Sequence, residues 1–244
     1  MWIKRIVRAA DKGLNCVIWC MILVLLLYSG LGLWDTYCIY QDAGNSAMIY
    51  QYKPSGEGEN PTLLQLRELN SDVCAWLTVD DTKIDYPVVQ GETNMEYINK
   101  AVDGSFSLPG SLFLDYRNDL EFQDFYSLIY GHHMAGDVMF GSLPYFQETA
   151  FFEQHVSAKL FLVDCTKKIE IFACVHTDAY DSILFHPKCN DADSRKMVLD
   201  QIRKKAVQYR DVEFGDGDRI LGLSTCYDTT TNGRIIVFGK MKDI

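Results

Sequence analysis

Basic charge is scarce in this chain: 23 lysines and arginines stand against 33 aspartates and glutamates, a net −10 over 244 residues. The shortage deepens beyond residue 34. Four basic side chains (Lys4, Arg5, Arg8, Lys12) and a single acidic one (Asp11) precede it, so the remainder holds 19 basic and 32 acidic groups, net −13. A surface that acidic has no electrostatic footprint for nucleic acid, and that class of partner is set aside. Internal repeats and extended low-complexity segments are also missing. With 48% hydrophobic and 23% charged residues the composition is globular rather than disordered, and the length suits one sizeable domain plus an appendage. Histidine is sparse, at five. His155, His176 and His186 show no metal-ligand spacing with the adjacent pair His132-His133, whose side chains point to opposite faces of an extended chain. No metal and no cofactor is expected.

Charge of either sign is absent from Gly13 to Trp34, and Val17–Leu27 is almost wholly apolar. As a helix, that segment spans roughly 33 Å at about 1.5 Å per residue, enough for a bilayer core of about 30 Å. The following Trp34-Asp35-Thr36-Tyr37 offers no small-residue cleavage site, which favours a retained anchor over a removed signal peptide. The basic flank lies on the N-terminal side. The positive-inside rule then gives a single-pass protein of the cell membrane, with residues 1–12 a cytoplasmic tail, 13–34 the anchor and 35–244 outside. Cys16 and Cys20 fall within the apolar span. Cys38, Cys74, Cys165, Cys174, Cys189 and Cys226 lie beyond it, an even number that permits disulfides without requiring them in a domain large enough to fold on its own core.

Residues 35–61 are mixed and polar and end in Lys53-Pro-Ser-Gly-Glu-Gly-Glu-Asn-Pro61, the texture of a linker. Leu63, Leu64, Leu66 and Leu69 have helical spacing over 62–72. Eight short strand-like runs follow, at 75–79, 84–89, 111–115, 127–130, 159–163, 169–175, 220–224 and 234–238, punctuated by Gly, Asn and Asp. Such a series predicts a mostly β fold, a closed or nearly closed barrel. One segment breaks the pattern: Met197, Val198, Ile202, Ala206 and Tyr209 predict a helix over Ala192–Tyr209, with Asp191 or Asp193 as N-cap.

The chemistry-bearing residues stand where strands run out. Leu221-Gly-Leu-Ser-Thr-Cys226 displays a thiol at the end of an apolar run, and Arg234 returns eight positions later at the start of the next. In an antiparallel hairpin that spacing brings Arg234 beside Cys226. Buried free cysteines are common, so Cys226 taken alone could equally be a core residue. Leu128-Ile-Tyr-Gly-His132 presents a histidine in the same manner, and a histidine near a thiol can serve as general base and acid.

Leu223-Ser-Thr-Cys226, Tyr130-Gly-His132 and the downstream Arg234 together resemble the signature of sortases, and most closely class B. Asp72–Val79, Ile84–Gln90, Ser111–Asp115, Met139–Leu143 and the long helix before the cysteine run share the likeness, which extends over residues 62–242. The resemblance implies an eight-stranded sortase-type barrel with an N-terminal helical extension, occupying 62–244. It also implies an activity in Gram-positive bacteria: cutting a C-terminal sorting signal after its threonine and joining the threonine to an amine, usually of the cell-wall cross-bridge. The implied partners are surface proteins bearing that signal and a cell-wall amine. Carried over residue by residue, Cys226 matches the nucleophile, His132 the acid/base and Arg234 the arginine that steadies the carbonyl oxygen. Asn94, Ile98, Tyr130 and Ser224 match positions lining the peptide groove, and Thr225 sits where a donor could contribute to an oxyanion hole.

Other readings remain open on sequence grounds. A papain-like hydrolase places its Cys before its His, the reverse of the order here. A non-catalytic, membrane-tethered barrel would keep Cys226 and His132 as core residues. Within the resemblance, a pilin polymerase would use a pilin lysine in place of the wall amine.

Overall fold

The computed structural model describes residues 2–43, 47–56, 58–215, 217–226 and 232–243, without the side chains of 40–43, 47, 226 and 243. The chain divides into two compact units, Met1–Gln41 and Asp42–Ile244.

The first unit is the helix α1, Trp2–Ala43. It has a mean hydropathy of 2.4 over its most apolar window, and none of that window is buried against protein. Leu23, Leu25, Leu26 and Leu27 are all exposed. That helix is long and apolar enough to cross a bilayer. It continues nine residues past Trp34, into the segment expected as linker.

In the second unit a short α2 (Ala47–Tyr50) precedes α3 (Pro61–Leu69). Several described residues of the expected linker contact the barrel. Ile49 is buried, Tyr50 Oη and Lys53 Nζ donate to Asp85 Oδ2, and Asn60 Nδ2 donates to Leu162 O at 2.6 Å. In α3, Leu63 and Leu66 are buried whereas Leu64 and Leu69 face solvent. Pro61 stands at the first helical position, where its missing N–H costs nothing.

The barrel strands are β1 (Val73–Val79), β2 (Asp85–Val89), β3 (Leu112–Leu114), β4 (Tyr126–Tyr130), β5 (Ser157–Phe161), β6 (Thr166–Asp178), β7 (Ala206–Tyr209), β8 (Arg219–Cys226) and β9 (Gly233–Asp243). α4 (Thr149–Gln154) precedes β5, and α5 (Ala192–Lys205) precedes β7. The order β5-β1-β2-β3-β4-β8-β9-β6 closes on itself through a β5–β6 pairing, giving an eight-stranded barrel. All eight expected runs are strands of it.

β7 is an addition outside the ring and corrects the helix expected over Ala192–Tyr209. β5 covers only residues 166–170 of β6, so the farther part of that β6 edge is open, and β7 pairs there through Ala173↔Tyr209 and Cys174↔Gln208. α5 stops at Lys205, whose Nζ is held by Thr177 and Asp181, and the next residue is extended. The helix start is as read: Asp191 caps it by accepting from Ser194 N.

Most barrel strands are buried on both faces, which is why their runs read as nearly continuous apolar stretches. On β9, Ile235 and Val237 join the core with Leu221 and Leu223. Ile236 and Phe238 join a second layer with Val198 and Ile202 of α5. Leu63 and Leu66 of α3 cover a third patch with Trp76 and Phe113.

Candidate active site

Three strands meet at one rim. β4 and β8 are parallel neighbours, in register from Tyr126↔Ile220 to Tyr130↔Ser224, so both finish at the same edge. β9 is antiparallel to β8 and therefore starts at that edge, with Cys226 and Arg234 directly opposite in the ladder. Topology alone thus gathers the segment carrying His132, the end carrying Cys226 and the start carrying Arg234. The Cys226 side chain and residues 227–231, Asp228 among them, lie outside the described residues.

Two hydrogen bonds stitch the ends together: Gly131 N donates to Ser224 O (3.1 Å) and Thr225 Oγ1 donates to Gly131 O (2.9 Å). Thr225 is buried, and its hydroxyl ties the cysteine strand to the glycine before His132; its backbone N–H is the other donor the expected oxyanion role could draw on. Gly131 has no room for a side chain. A Cβ there would run into Leu112 Cδ2 and lie 2.7 Å from Phe140 Cδ2, so the chain can pass this close to the core only as glycine.

His132 is held twice. Its carbonyl accepts from Phe140 N (3.0 Å), and its Nε2 donates to Ile98 O (3.0 Å). A carbonyl can only accept, so Nε2 carries the proton and Nδ1 is left for other work. Ile98 O is close because Gly110, at φ +63°, lets the backbone approach; any Cβ at 110 would collide with that same oxygen. His133, by contrast, is exposed and pairs with Met139 in a bridge.

A cleft of about 420 Å³ opens here, lined by His132, Arg234, Ser224, Thr225, Asn94, Ile98 and Tyr130 among others. Every expected site residue with a described side chain therefore borders a single cleft. Arg234 Nη1 donates to Gly233 O. Ser224 is buried, and its Oγ has no hydrogen-bond partner among the described residues. Burial, and then the neighbouring Asp115 carboxylate, push the Tyr130 hydroxyl well up, so it stays a neutral donor. Its ring stacks between Phe113 (5.2 Å) and Phe185 (6.4 Å), which also line the cleft.

Phe113, Arg117, Ala179 and Phe185 are cleft residues that sequence reasoning did not single out. Arg117 follows a strand end, a position that could have been noticed. Ala179 and Phe185 lie between β6 and α5, where no periodic pattern marks the chain.

Among the described cysteines all are free thiols. Burial pushes Cys74, Cys174 and Cys189 up to about 12, and none of the seven borders the cleft. The three buried thiols, neither deprotonated nor reachable, are no nucleophiles.

A sortase-domain family model matches residues 77–242. Sortase B of Staphylococcus aureus is 31% identical over 187 residues, 76% of each chain. A class B sortase of Streptococcus pyogenes involved in pilus biogenesis is 54% identical with a TM-score of 0.68, covering 73% of this chain and 96% of its own. A sortase B from the type II pilus of Streptococcus pneumoniae is 39% identical with a TM-score of 0.64, covering 74% and 98%. With its closed barrel and its rim of strand ends, this chain belongs to the sortase family of cysteine transpeptidases and falls with class B.

Proposed function

We propose that this transpeptidase is anchored in the membrane by α1, with its barrel outside the cell, and that it cleaves a C-terminal sorting signal after threonine and passes the acyl group to an amine. What supports the reading is that Cys226 stands opposite Arg234 in the ladder and directly follows Thr225, which lines one cleft together with His132 and Arg234. In the reaction, the Cys226 thiolate attacks the threonyl carbonyl carbon and charge develops on its oxygen. The Arg234 guanidinium, a planar fork of fixed donors, meets that charge. His132 protonates the departing amine as the C–N bond breaks, leaving a thioester. The acceptor amine then attacks the thioester, gives its proton to His132, and the thiolate departs as the new amide forms. Because Nε2–H remains on Ile98 O throughout, Nδ1 is the nitrogen that takes and returns the proton.

Asn94, Ile98, Tyr130 and Ser224 border the space a peptide would fill. The acceptor is the finer question. Two pilus-associated class B sortases are 54% and 39% identical to this chain, against 31% for the Staphylococcus aureus enzyme. That difference favours a pilin lysine over a wall cross-bridge amine.

The test is cleavage of a fluorescent sorting peptide by the full-length chain in detergent, with product mass read in the presence of a lysine-bearing pilin fragment or a cross-bridge peptide. Wild type should yield the amide and Cys226→Ala neither amide nor acid. Cleavage by Cys226→Ala would overturn the assignment, and transfer to the cross-bridge peptide alone would overturn the pilin reading.

A further inference from the structure

At the wall of the cleft, where Arg117 borders it, lies an ion pair that the reaction does not use. Asp115 is fully buried and follows the end of β3. Its Oδ1 accepts from Arg117 Nε (2.8 Å) and Arg117 N (3.0 Å). Its Oδ2 accepts from Arg117 Nη2 (2.7 Å), Asn94 Nδ2 (2.9 Å) and Tyr130 Oη (3.0 Å). Arg117 reaches onward: Nη2 also donates to Phe185 O (2.8 Å), and Nη1 lies 3.3 Å from His186 Nδ1. One carboxylate–guanidinium pair therefore binds together three stretches of chain distant in sequence. They are the loop after β2 with Asn94, the end of β4 with Tyr130, and the segment between β6 and α5 with Phe185. Each contributes a residue to the cleft.

The polar ends of these residues are turned to the pair. The Tyr130 hydroxyl donates its hydrogen bond to Asp115. Asn94 is engaged at both ends of its amide, donating to Asp115 and accepting from Tyr116 N at 2.9 Å. What Tyr130 offers a peptide is its ring, placed by the stacks on Phe113 and Phe185 and by the bond to Asp115. We infer that Asp115 and Arg117 are positioning residues that set the shape of the peptide cleft by fixing Asn94, Tyr130 and Phe185, without touching the reacting atoms. The inference rests on the peptide-cleft reading above.

Lysine can pair with Asp115 as a point charge, but it lacks the fork that serves Asp115 and Phe185 O together. In full-length Arg117→Lys the KM for the sorting peptide should rise about 10-fold or more while kcat stays within about 3-fold, the pattern of lost ground-state binding. Alkylation of Cys226 by iodoacetamide should stay within about 2-fold of wild type, because the thiol is not part of the pair. Tyr130→Phe keeps the ring stack and removes only the bond to Asp115. Its KM effect should be sub-additive with that of Arg117→Lys, since both act through one network. An unchanged KM in Arg117→Lys, a fall in kcat at constant KM, or full additivity of the two overturns the positioning role while wild type still turns over. Absence of turnover by wild type overturns the cleft reading and this inference with it.

Discussion

Ser224 carries a buried hydroxyl on a cleft wall, with no partner among the described residues. An unsatisfied buried hydroxyl costs the fold on the order of 1–3 kcal/mol, so its presence calls for a partner that arrives later, and a peptide group in the cleft would be one. The two roles predict opposite signs. Ser224→Ala removes the orphan and should leave the melting temperature unchanged or higher. It should also raise KM about 3- to 10-fold, the worth of one neutral hydrogen bond of roughly 1 kcal/mol. A lowered melting temperature in calorimetry with unchanged KM would show that Ser224 serves only the barrel. Thr225 beside it illustrates the contrary case, a hydroxyl that looks free in the sequence and is committed to Gly131 O in the fold.

At the scale of elements, the active rim depends on how closely β4 can leave the core, and that depends on Gly131. Gly131→Ala would push a methyl group into Leu112 and Phe140, both buried. Overpacking of this kind costs about 1–3 kcal/mol, and displacement of the adjacent His132 by even 1 Å can cost about 10²-fold in rate. Thermal denaturation should thus show a modest loss and peptide turnover a severe one; comparable, small losses in both would mean that the His132 segment relaxes freely. Strand ends were legible before the structure because apolar runs, Gly131 and the eight-residue return from Cys226 to Arg234 are all local features, and the parallel β4–β8 pairing turned them into one rim. β7 was illegible for the opposite reason. Ala206 and Tyr209 continue the helical spacing of Val198 and Ile202, and only the open edge of β6, a long-range fact, draws them into a strand. Asp115 and Arg117 were equally hidden, since the pair's partners from the loop after β2, the end of β4 and the segment before α5 come together only in three dimensions.

Across the whole molecule, two buried carboxylates join elements that the barrel ladder alone does not connect. Asp115 unites the walls of the cleft. Asp181, almost fully buried, accepts from Lys205 Nζ (2.7 Å), Gln201 Nε2 (3.0 Å) and Thr177 Oγ1 (2.9 Å), and so moors the end of α5 to β6. Burial pushes both carboxyls up. Hydrogen bonds outweigh it, from Arg117 and Asn94 at Asp115 and from Lys205, Leu184 N, Gln201 and Thr177 at Asp181, so both groups lie below the ordinary carboxylate value. The unfolded chain then binds more protons than the folded one below the ordinary aspartate value of about 3.9. The stability these groups contribute is full at pH 5 and above and is lost progressively as the pH falls through about 4 toward the depressed folded values. Urea midpoints should hold nearly level from about pH 7 to 5 and fall steeply below about 4. Asp181→Asn should lower the midpoint at neutral pH and flatten the acid slope, because its proton no longer links folding to pH. A variant with the wild-type acid slope would show that other carboxylates carry the acid response and that the mooring of α5 is electrically silent.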